Sequence, residues 1–322
     1  MINLNAELKE VQTAGIAGHI RPDGDCVGSC IGLYLYLKKY FPEIKTEVYL
    51  EEFPEAFRFL EGSDQVQHNC DQTKEYDVFF CLDCGDEKRL GNAVKYFNTA
   101  KKTICIDHHI SNQAFAQVNY IVPDASSTSE LIFNLLEETK ITKEMAEALY
   151  MGIAHDTGVF KFSNTSSRTM EIAGKLMDKG IDFSTIVDDT YFIKSYIQNQ
   201  IMGRAMLESI MMLDGRVIFS AIRQKDMDFY GVGTMDLDGI VQQLRNTRGV
   251  EAALFLYETA PQEYKVSMRS NGKIDVSQIA CYFGGGGHVK AAGCTMQGSV
   301  YDVVNNLVKH IDKQLKQIKV TN

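Results

Sequence analysis

Three short apolar runs in the first third of the chain each lead into a cluster of Asp residues, in two cases together with His. They span Ala14–His19, Tyr76–Leu82 and Ile104–Ile106. Apolar runs of this length predict buried strands, and the helix-like segments between them predict a parallel sheet. Because open α/β sheets place their chemistry at the carboxyl ends of strands, we expect these clusters to meet at one edge of the sheet.

The whole pattern predicts an α/β protein with two domains. Residues 1–187 are expected to form a parallel-sheet domain with helices on both faces, and 188–213, helical and rich in Met and Gln, a linker. Strands separated by helices then predict a smaller α/β domain at 214–322. A chain of 322 residues with 45% hydrophobic and 23% charged residues is long enough for two domains.

Composition and charge exclude several classes of protein. A net charge of −9 and a pI near 5.3 argue against a basic face for long nucleic acid, duplexes included, but allow a small anionic substrate. The longest uncharged apolar runs are too short to span a bilayer, and no signal-peptide pattern is present. The eight scattered cysteines indicate reduced thiols, and a redox or zinc role for the lone Cys81/Cys84 pair is the weaker alternative. We therefore expect a soluble, cytoplasmic protein.

Six side chains at predicted strand ends, or in the turns that follow, offer metal-binding atoms. They are His19, Asp23, Asp25, Asp83, His108 and Asp156. Pro22 and Gly24 predict a tight turn around the first two acids, before a helix that opens near Gly28. Turn formation alone is the alternative role for those two acids. His155 is predicted to be a structural neighbour of Asp156, because adjacent helical residues point about 100° apart.

These residues supply four carboxylates and two imidazoles. Such a mixed oxygen and nitrogen set suits Mn²⁺, while Mg²⁺, Co²⁺ or Fe²⁺ also fit, and it requires no thiolate. Six ligands exceed what one ion with an open position needs. They suit two divalent ions about 3.5–4 Å apart, bridged by one carboxylate and by a water that both ions make nucleophilic.

The segment Gly284–Gly293 carries four consecutive glycines followed by His288. Glycine permits positive φ and lets backbone N–H groups approach an anion closely. His288 and Arg269, which ends a predicted strand, can both donate to a phosphate. A flexible linker is the alternative, but this run lies between a predicted helix and an apolar segment rather than in polar low-complexity sequence.

Taken together, these motifs resemble those of the DHH phosphoesterase superfamily. The matching residues are His19-x-x-x-Asp23-x-Asp25, Asp83, Asp107-His108-His109 and Asp156, and Gly284–Gly293 resembles the DHH-associated C-terminal domain. The length and the GGGGH-x-x-AAG segment are most similar to the nanoRNase and pAp phosphatase group. The family's first motif often begins Ser-His and continues Asp-Ala. Here Gly18 precedes His19 and Cys26 follows Asp25, so no ligand is lost, although Cys26 could make the site sensitive to oxidation.

The resemblance implies a role for each residue of the first domain. One metal would be held by His19, Asp23 and Asp83, and the other by Asp25, Asp83, His108 and Asp156. Asp83 would therefore bridge the two ions. Asp107 would orient an imidazole, and His109 would face the substrate phosphate and the leaving oxygen.

The resemblance also implies a substrate-binding C-terminal domain that closes over a cleft between the domains. Its phosphate-binding residues would be Arg269, Gly285, Gly286, Gly287 and His288. The implied substrates are short oligoribonucleotides, cleaved to mononucleotides, and pAp, cleaved to AMP and phosphate. A phosphodiesterase for pApA or cyclic dinucleotides is an alternative that the sequence separates poorly. A family II pyrophosphatase is a less favoured alternative, because its second domain would need a Ser-Arg-Lys-Lys-like cluster that this sequence lacks. A non-catalytic nucleotide-binding regulator would usually have lost a metal ligand, whereas every motif position is filled here. A homodimer is compatible with the sequence.

Overall fold

The protein divides into two compact units, each with its own hydrophobic interior. A computed structural model describes residues 2–321, with side chains through residue 318. The units are Met1–Ile193 and Lys194–Asn322. Two buried clusters lie in the first unit and two in the second. Each unit therefore has the interior that a domain needs to fold.

The first unit is built around a five-stranded sheet in which every strand is parallel. The strands are β1 (Thr13–Ala17), β2 (Lys45–Tyr49), β3 (Val78–Leu82), β4 (Thr103–Asp107) and β5 (Val118–Ile121). Their spatial order is β2-β1-β3-β4-β5. The direction of winding reverses between β1 and β3, where open α/β sheets bind ligands. The predicted parallel sheet is confirmed, and a strand that the sequence also predicts at Thr46–Leu50 corresponds to β2, but β5 was not predicted because its half-buried residues form no apolar run.

Helices cover both faces of this sheet, as predicted. They are α1 (Leu4–Glu7), α2 (Gly24–Tyr40), α3 (Val94–Thr99), α4 (Thr128–Leu135), α5 (Lys143–Asp156), α6 (Ser167–Met177) and α7 (Phe183–Val187). Ile16 and Phe80 share one buried cluster with residues of α2, α4 and α5. On the opposite face, Phe79 packs with Tyr96 of α3 and with the 3-10 helix Glu87–Ala93.

Helix α2 begins at Gly24, earlier than the predicted opening near Gly28. Asp23 is its N-cap, and Asp23 Oδ1 accepts hydrogen bonds from the backbone N–H groups of Asp25 and Cys26, both at 3.1 Å. The predicted turn is therefore a helix cap, a position that favours Asp. This correction places Asp25 in the first turn of a buried helix rather than on a loop.

The second unit contains a six-stranded mixed sheet in the order β10-β11-β9-β8-β7-β6. The strands are β6 (Ile210–Met212), β7 (Val217–Ile222), β8 (Ala252–Ala260), β9 (Glu263–Ser270), β10 (Gly286–His288) and β11 (Ala291–Gln297). The helices are α8 (Tyr196–Leu207), α9 (Gln224–Tyr230), α10 (Ile240–Arg245), α11 (Val276–Tyr282) and α12 (Val300–Thr321). Helices α11 and α12 cover one face, while α8 and α10 cover part of the other. Within residues 2–321, no helix has both the length and the apolar character needed to cross a membrane.

The boundary between the units falls inside the predicted linker, 188–213. Its first residues form a π-helical turn, Asp188–Phe192, in the first unit. Helix α8 instead contributes Ile201 and Ala205 to a core of the second unit, and β6 pairs with β7. Much of this segment is thus part of a folded domain, because one face of α8 is apolar.

Residues Gly286–His288 of the glycine-rich segment form the edge strand β10, which was not predicted from the sequence. This strand pairs with β11 in antiparallel fashion. A Cβ on Gly285 would lie 2.1 Å from the Gly293 carbonyl oxygen, and one on Gly287 would lie 2.5 Å from the Ala291 carbonyl oxygen. Gly287 also has a φ of +141°. Close backbone contact is therefore one physical reason for glycine at these positions.

Candidate metal centre

Asp83 lies at the centre of a group of Asp and His side chains beyond the ends of β1, β3 and β4. It directly follows β3, and its side chain is only 3% exposed. Its Oδ2 atom lies 3.4 Å from His19 Nε2, and its Oδ1 atom lies 3.6 Å from His108 Nε2. Asp83 thus has a different imidazole beside each carboxylate oxygen, as a carboxylate that bridges two ions would.

His19 follows β1 and has one ring nitrogen bonded to the backbone. Nδ1 donates to the Ile20 carbonyl oxygen at 2.8 Å. Nε2 lies 3.5 Å from Asp23 Oδ2 and 3.4 Å from Asp83 Oδ2. A histidine held in this tautomer presents Nε2 as a metal ligand. Burial lowers the pKa of His19, but Cys26 and the contacts with Asp23 and Asp83 raise it above its usual value on balance.

The second imidazole, His108, lies between Asp83 and Asp156. Its Nε2 atom is 3.2 Å from Asp156 Oδ2. Asp156 is the last residue of α5, so this helix brings a carboxylate to the edge of the sheet. Burial raises the pKa of Asp156 well above its usual value, and the charges of Asp25, Asp83 and Asp23 raise it further.

Both oxygens of Asp25 accept hydrogen bonds from the N-terminus of α4. Oδ2 accepts from the Thr128 N–H at 2.6 Å, and Oδ1 accepts from the Ser129 N–H at 2.8 Å. The Thr128 hydroxyl also donates to Asp83 Oδ1 at 3.1 Å. Because a helix N-terminus favours negative charge, one turn of α4 positions two of the carboxylates. Burial, followed by the charge of Asp83, nevertheless raises the pKa of Asp25 to about 7.

The role of Thr128 and Ser129 was not predicted from the sequence. Ser126-Ser127-Thr128 predicts a helix cap, and Ser127 does cap α4 by accepting from the Glu130 N–H at 3.0 Å. No local pattern connects this segment to Asp25, which lies about a hundred positions earlier in the chain. A helix cap needs only one hydroxyl residue. The additional hydroxyl residues at 126–129 are the only sequence signal for a second role of this segment.

Asp107 and His109 pair with each other at the end of β4. His109 Nδ1 lies 2.7 Å from Asp107 Oδ1 and 3.7 Å from Asp83 Oδ1. Asp107 is fully buried, and its Oδ2 atom accepts from the Asn112 amide at 2.7 Å. Asp107 is therefore placed to orient the ring of His109. Burial lowers the pKa of His109, but the hydrogen bond to Asp107 and the charge of Asp83 raise it above its usual value on balance.

Asp23 and His155 lie at the margin of this group. Asp23 uses Oδ1 to cap α2, and Asp23 Oδ2 lies 3.5 Å from His19 Nε2. Its role as a metal ligand stays a prediction. His155 Nε2 lies 3.0 Å from the Thr190 hydroxyl, and its ring packs edge-on against Phe57. These contacts agree with the structural role predicted for His155.

The donor atoms fall into three overlapping groups in which they lie within 4.8 Å of one another. The groups are His19, Cys26 and Asp83; Asp83, His108 and His109; and Asp25, His108 and Asp156. Burial raises the pKa values of Asp25 and Asp156, and the neighbouring carboxylates raise them further, because crowded negative charges disfavour one another. Bound cations would reverse this effect. The residues present therefore fit divalent ions that take oxygen and nitrogen ligands.

Arg269 and His288 lie in one row across the sheet of the second unit. Ala291 on β11 pairs with Arg269 on one side and with His288 on the other. Residues opposite each other on neighbouring strands project to the same face, so a small alanine separates the two donors. Arg269 Nη1 donates to the Met268 carbonyl oxygen at 3.1 Å, and burial lowers the pKa of Arg269. Phosphate binding by these residues and by Gly285–Gly287 stays a prediction.

Two family models match this chain, one in each compact unit. Residues 13–153 match the DHH family, N-terminal domain, and residues 214–317 match the DHHA1 domain. The first match contains the whole parallel sheet and all of the predicted ligands except Asp156, which lies just beyond it.

Two named relatives are similar to this chain over most of its length. The bifunctional oligoribonuclease and PAP phosphatase NrnA of Thermus thermophilus is 30% identical over 287 residues, which cover 88% of this chain and 84% of the relative. The Bacillus subtilis protein of the same name is 26% identical and covers 93% of each chain. The structure of an exopolyphosphatase-related protein from Bacteroides fragilis aligns with a TM-score of 0.86 at 26% identity, covering 98% of this chain and 95% of that one. This chain therefore belongs to the DHH family, in the form that joins a DHH domain to a DHHA1 domain.

Proposed function

We propose that this protein is a two-metal phosphoesterase that hydrolyses short oligoribonucleotides to mononucleotides and pAp to AMP and phosphate. The observation that carries the proposal is the arrangement around Asp83, in which each carboxylate oxygen has a different imidazole beside it. Two relatives that match most of the chain are named as oligoribonucleases and PAP phosphatases. Both substrates present a phosphate ester near a chain end, so one site can serve both.

Two sets of residues would hold the two divalent ions. One set is His19, Asp23 and Asp83, and the other is Asp25, Asp83, His108 and Asp156. Carboxylate and imidazole ligands favour Mn²⁺, with Mg²⁺ or Co²⁺ as alternatives. When bound, such ions neutralise phosphate charge and supply a nucleophile at neutral pH.

His109 would assist the departure of the leaving group. In its protonated form it can donate a proton to the leaving oxygen of the ester. Asp107, with Oδ1 2.7 Å from His109 Nδ1, orients the ring and favours the protonated form. This division of roles assigns Asp107 to positioning and His109 to proton transfer.

Arg269 and His288 would bind the phosphate that is not cleaved. Both lie in one register row of the second sheet, and the planar guanidinium of Arg269 suits a phosphate. Backbone N–H groups of Gly285–Gly287 would add to this site. An enzyme that binds one phosphate and cleaves another favours short substrates. The net charge of −9 is compatible with this, because a few local cations suffice for a short substrate.

A substrate panel with the purified protein and Mn²⁺ tests the proposal. We expect hydrolysis of pAp, pApA and RNAs of a few nucleotides, and much slower hydrolysis of long single strands, cyclic di-AMP and pyrophosphate. Activity confined to pyrophosphate or to long strands would overturn the proposed substrate class. Asp83→Ala serves as the negative control, since it removes the carboxylate shared by both ion positions.

A variant in the second unit tests the predicted role of Arg269 in phosphate binding. Arg269→Ala should raise KM for pAp and leave kcat near the wild-type value, because it removes a contact to a non-reacting group. Lys265→Ala is the matched control, since Lys265 lies on the same strand and face. Equal KM values for the two variants would refute the role of Arg269.

A further inference from the structure

Cys26 places a sulfur atom among the donor atoms of the metal centre. It lies in the first turn of α2, directly after Asp25, and is fully buried. Its Sγ atom forms a group with ligand atoms of His19 and Asp83, all within 4.8 Å of one another. The Sγ atom also lies 3.9 Å from the His19 carbonyl oxygen and contacts the Cys30 thiol. The sulfur can therefore act as a ligand beside two residues proposed to bind an ion.

Space for this sulfur depends on Gly18. A Cβ at position 18 would lie 2.1 Å from Cys26 Sγ, far inside van der Waals contact. The pattern that this chain resembles often has Ser before the first His and Ala after the second Asp, whereas this chain has Gly18 and Cys26. The two departures are therefore physically coupled. Relative to that pattern, Gly18 is smaller than Ser at the end of β1, and Cys26 is larger than Ala in α2. The larger side chain brings a thiol into the site.

We propose that His19, Cys26 and Asp83 form a binding site for a thiophilic divalent cation such as Zn²⁺ or Cd²⁺. This inference rests on the metal centre of the proposed function. Thiolate, imidazole and carboxylate are the ligand types of protein zinc sites, and sulfur favours soft ions over Mn²⁺ and Mg²⁺. As the bond from sulfur to metal forms, the S–H bond breaks and its proton passes to solvent, so neither atom changes oxidation state. A thiophilic ion held in this way occupies a position that a hard ion needs.

Titration of the full-length protein with Cd²⁺ tests the site through the ultraviolet absorption of the sulfur-to-cadmium bond. The wild type should develop this band, and Cys26→Ala should lose it. Competition should show that the preference for Cd²⁺ over Mn²⁺ falls at least about tenfold in Cys26→Ala. Cys30→Ala is the matched control, because Cys30 lies one turn further along α2 and is equally buried. It should keep the band.

Three results would overturn the inference: a wild type without the band, a Cys26→Ala variant that keeps it, or a Cys30→Ala variant that loses it. The last result would assign the ion to a pair of thiols instead. The band does not depend on turnover. A band without hydrolysis of the substrate panel would reject the proposed function alone, and hydrolysis without a band would reject this inference alone.

Substitution of Gly18 tests the geometry in protein that keeps every thiol. Gly18→Ala should weaken the cadmium band and lower Tm by at least about 2–4 °C, because its Cβ displaces Sγ. Adding Cys26→Ala should recover most of the lost Tm, and so should the pair Gly18→Ser with Cys26→Ala. Strictly additive changes in Tm would contradict the coupling between these positions.

Discussion

Asp83 carries its carboxylate on a backbone with a φ of +56°, in the left-handed region. Asp occupies this region more readily than most residues, yet the conformation costs on the order of 1 kcal/mol. The Asp83 N–H donates to the Ile106 carbonyl oxygen at 3.1 Å and anchors the strained residue to β4. The resulting sharp turn after β3 directs one carboxylate towards both His19 and His108. Such strain is typical of functional sites.

Replacing Asp107 should change how activity depends on pH. Its hydrogen bond raises the pKa of His109, so Asp107→Asn should lower that pKa. The protonated imidazole is the form that donates to the leaving oxygen. As the pH rises, the Asp107→Asn variant should therefore lose activity at a lower pH than the wild type does. The basic limb of the kcat profile on pAp measures this shift.

Asn112→Ala is the control for the Asp107 variant. It removes a neutral donor to the same carboxylate, at 2.7 Å, but leaves the negative charge beside His109. The basic limb of the kcat profile should therefore shift far less in Asn112→Ala than in Asp107→Asn. A limb that stays in place in Asp107→Asn would contradict proton donation by His109.

The N-terminus of α4 is the element that connects Asp25 with Asp83. Thr128→Val keeps the side-chain shape but removes the hydroxyl that donates to Asp83 Oδ1. The loss of a group that positions a metal ligand typically costs about 10–100-fold in metal affinity. We expect a loss of this size for Mn²⁺, measured by calorimetric titration. Thr128→Ser should restore most of the affinity, and equal affinities for the Val and Ser variants would show that the hydroxyl is unimportant.

Helices α2 and α5 pack closely because α2 has glycine at their contact. A Cβ on Gly28 would lie 2.4 Å from the Ala148 carbonyl oxygen, a backbone atom that cannot rotate away. Gly28→Ala should lower the free energy of unfolding by about 1–3 kcal/mol. Gly174→Ala in α6, where no atom lies within 4 Å of the added Cβ, should raise it by about 0.5–1 kcal/mol. Urea denaturation measures both, and equal losses would contradict the packing argument.

At the scale of the whole molecule, the proposed ions bind only one of two units that have separate cores. Mn²⁺ at about 100 times its Kd should stabilise the first unit by about 2.7 kcal/mol, since ligands that bind only the folded state shift unfolding by mass action. Calorimetry should show a higher Tm for that transition, which EDTA reverses. An equal rise in the transition of the second unit would contradict this assignment.

The parallel sheet and the residues at its edge could be predicted from the sequence because their signals are local. Each apolar run and the acid that follows it are neighbours in the chain, as in Val78–Leu82 and Asp83. The contact of Thr128 and Ser129 with Asp25 could not be predicted, since it joins residues about a hundred positions apart. The edge strand Gly286–His288 was missed because glycine carries no strand signal.

The sequence by itself determined the chemistry of the site: four carboxylates and two imidazoles, each near the end of a strand or helix. Tertiary structure alone decided which atoms meet. The strand order β2-β1-β3-β4-β5 makes β3 the neighbour of both β1 and β4, so Asp83 lies between His19 and His108. It also decided that the Thr128 and Ser129 N–H groups reach Asp25. Local sequence sets backbone periodicity, whereas the pairing of strands and helices distant in the chain sets these distances.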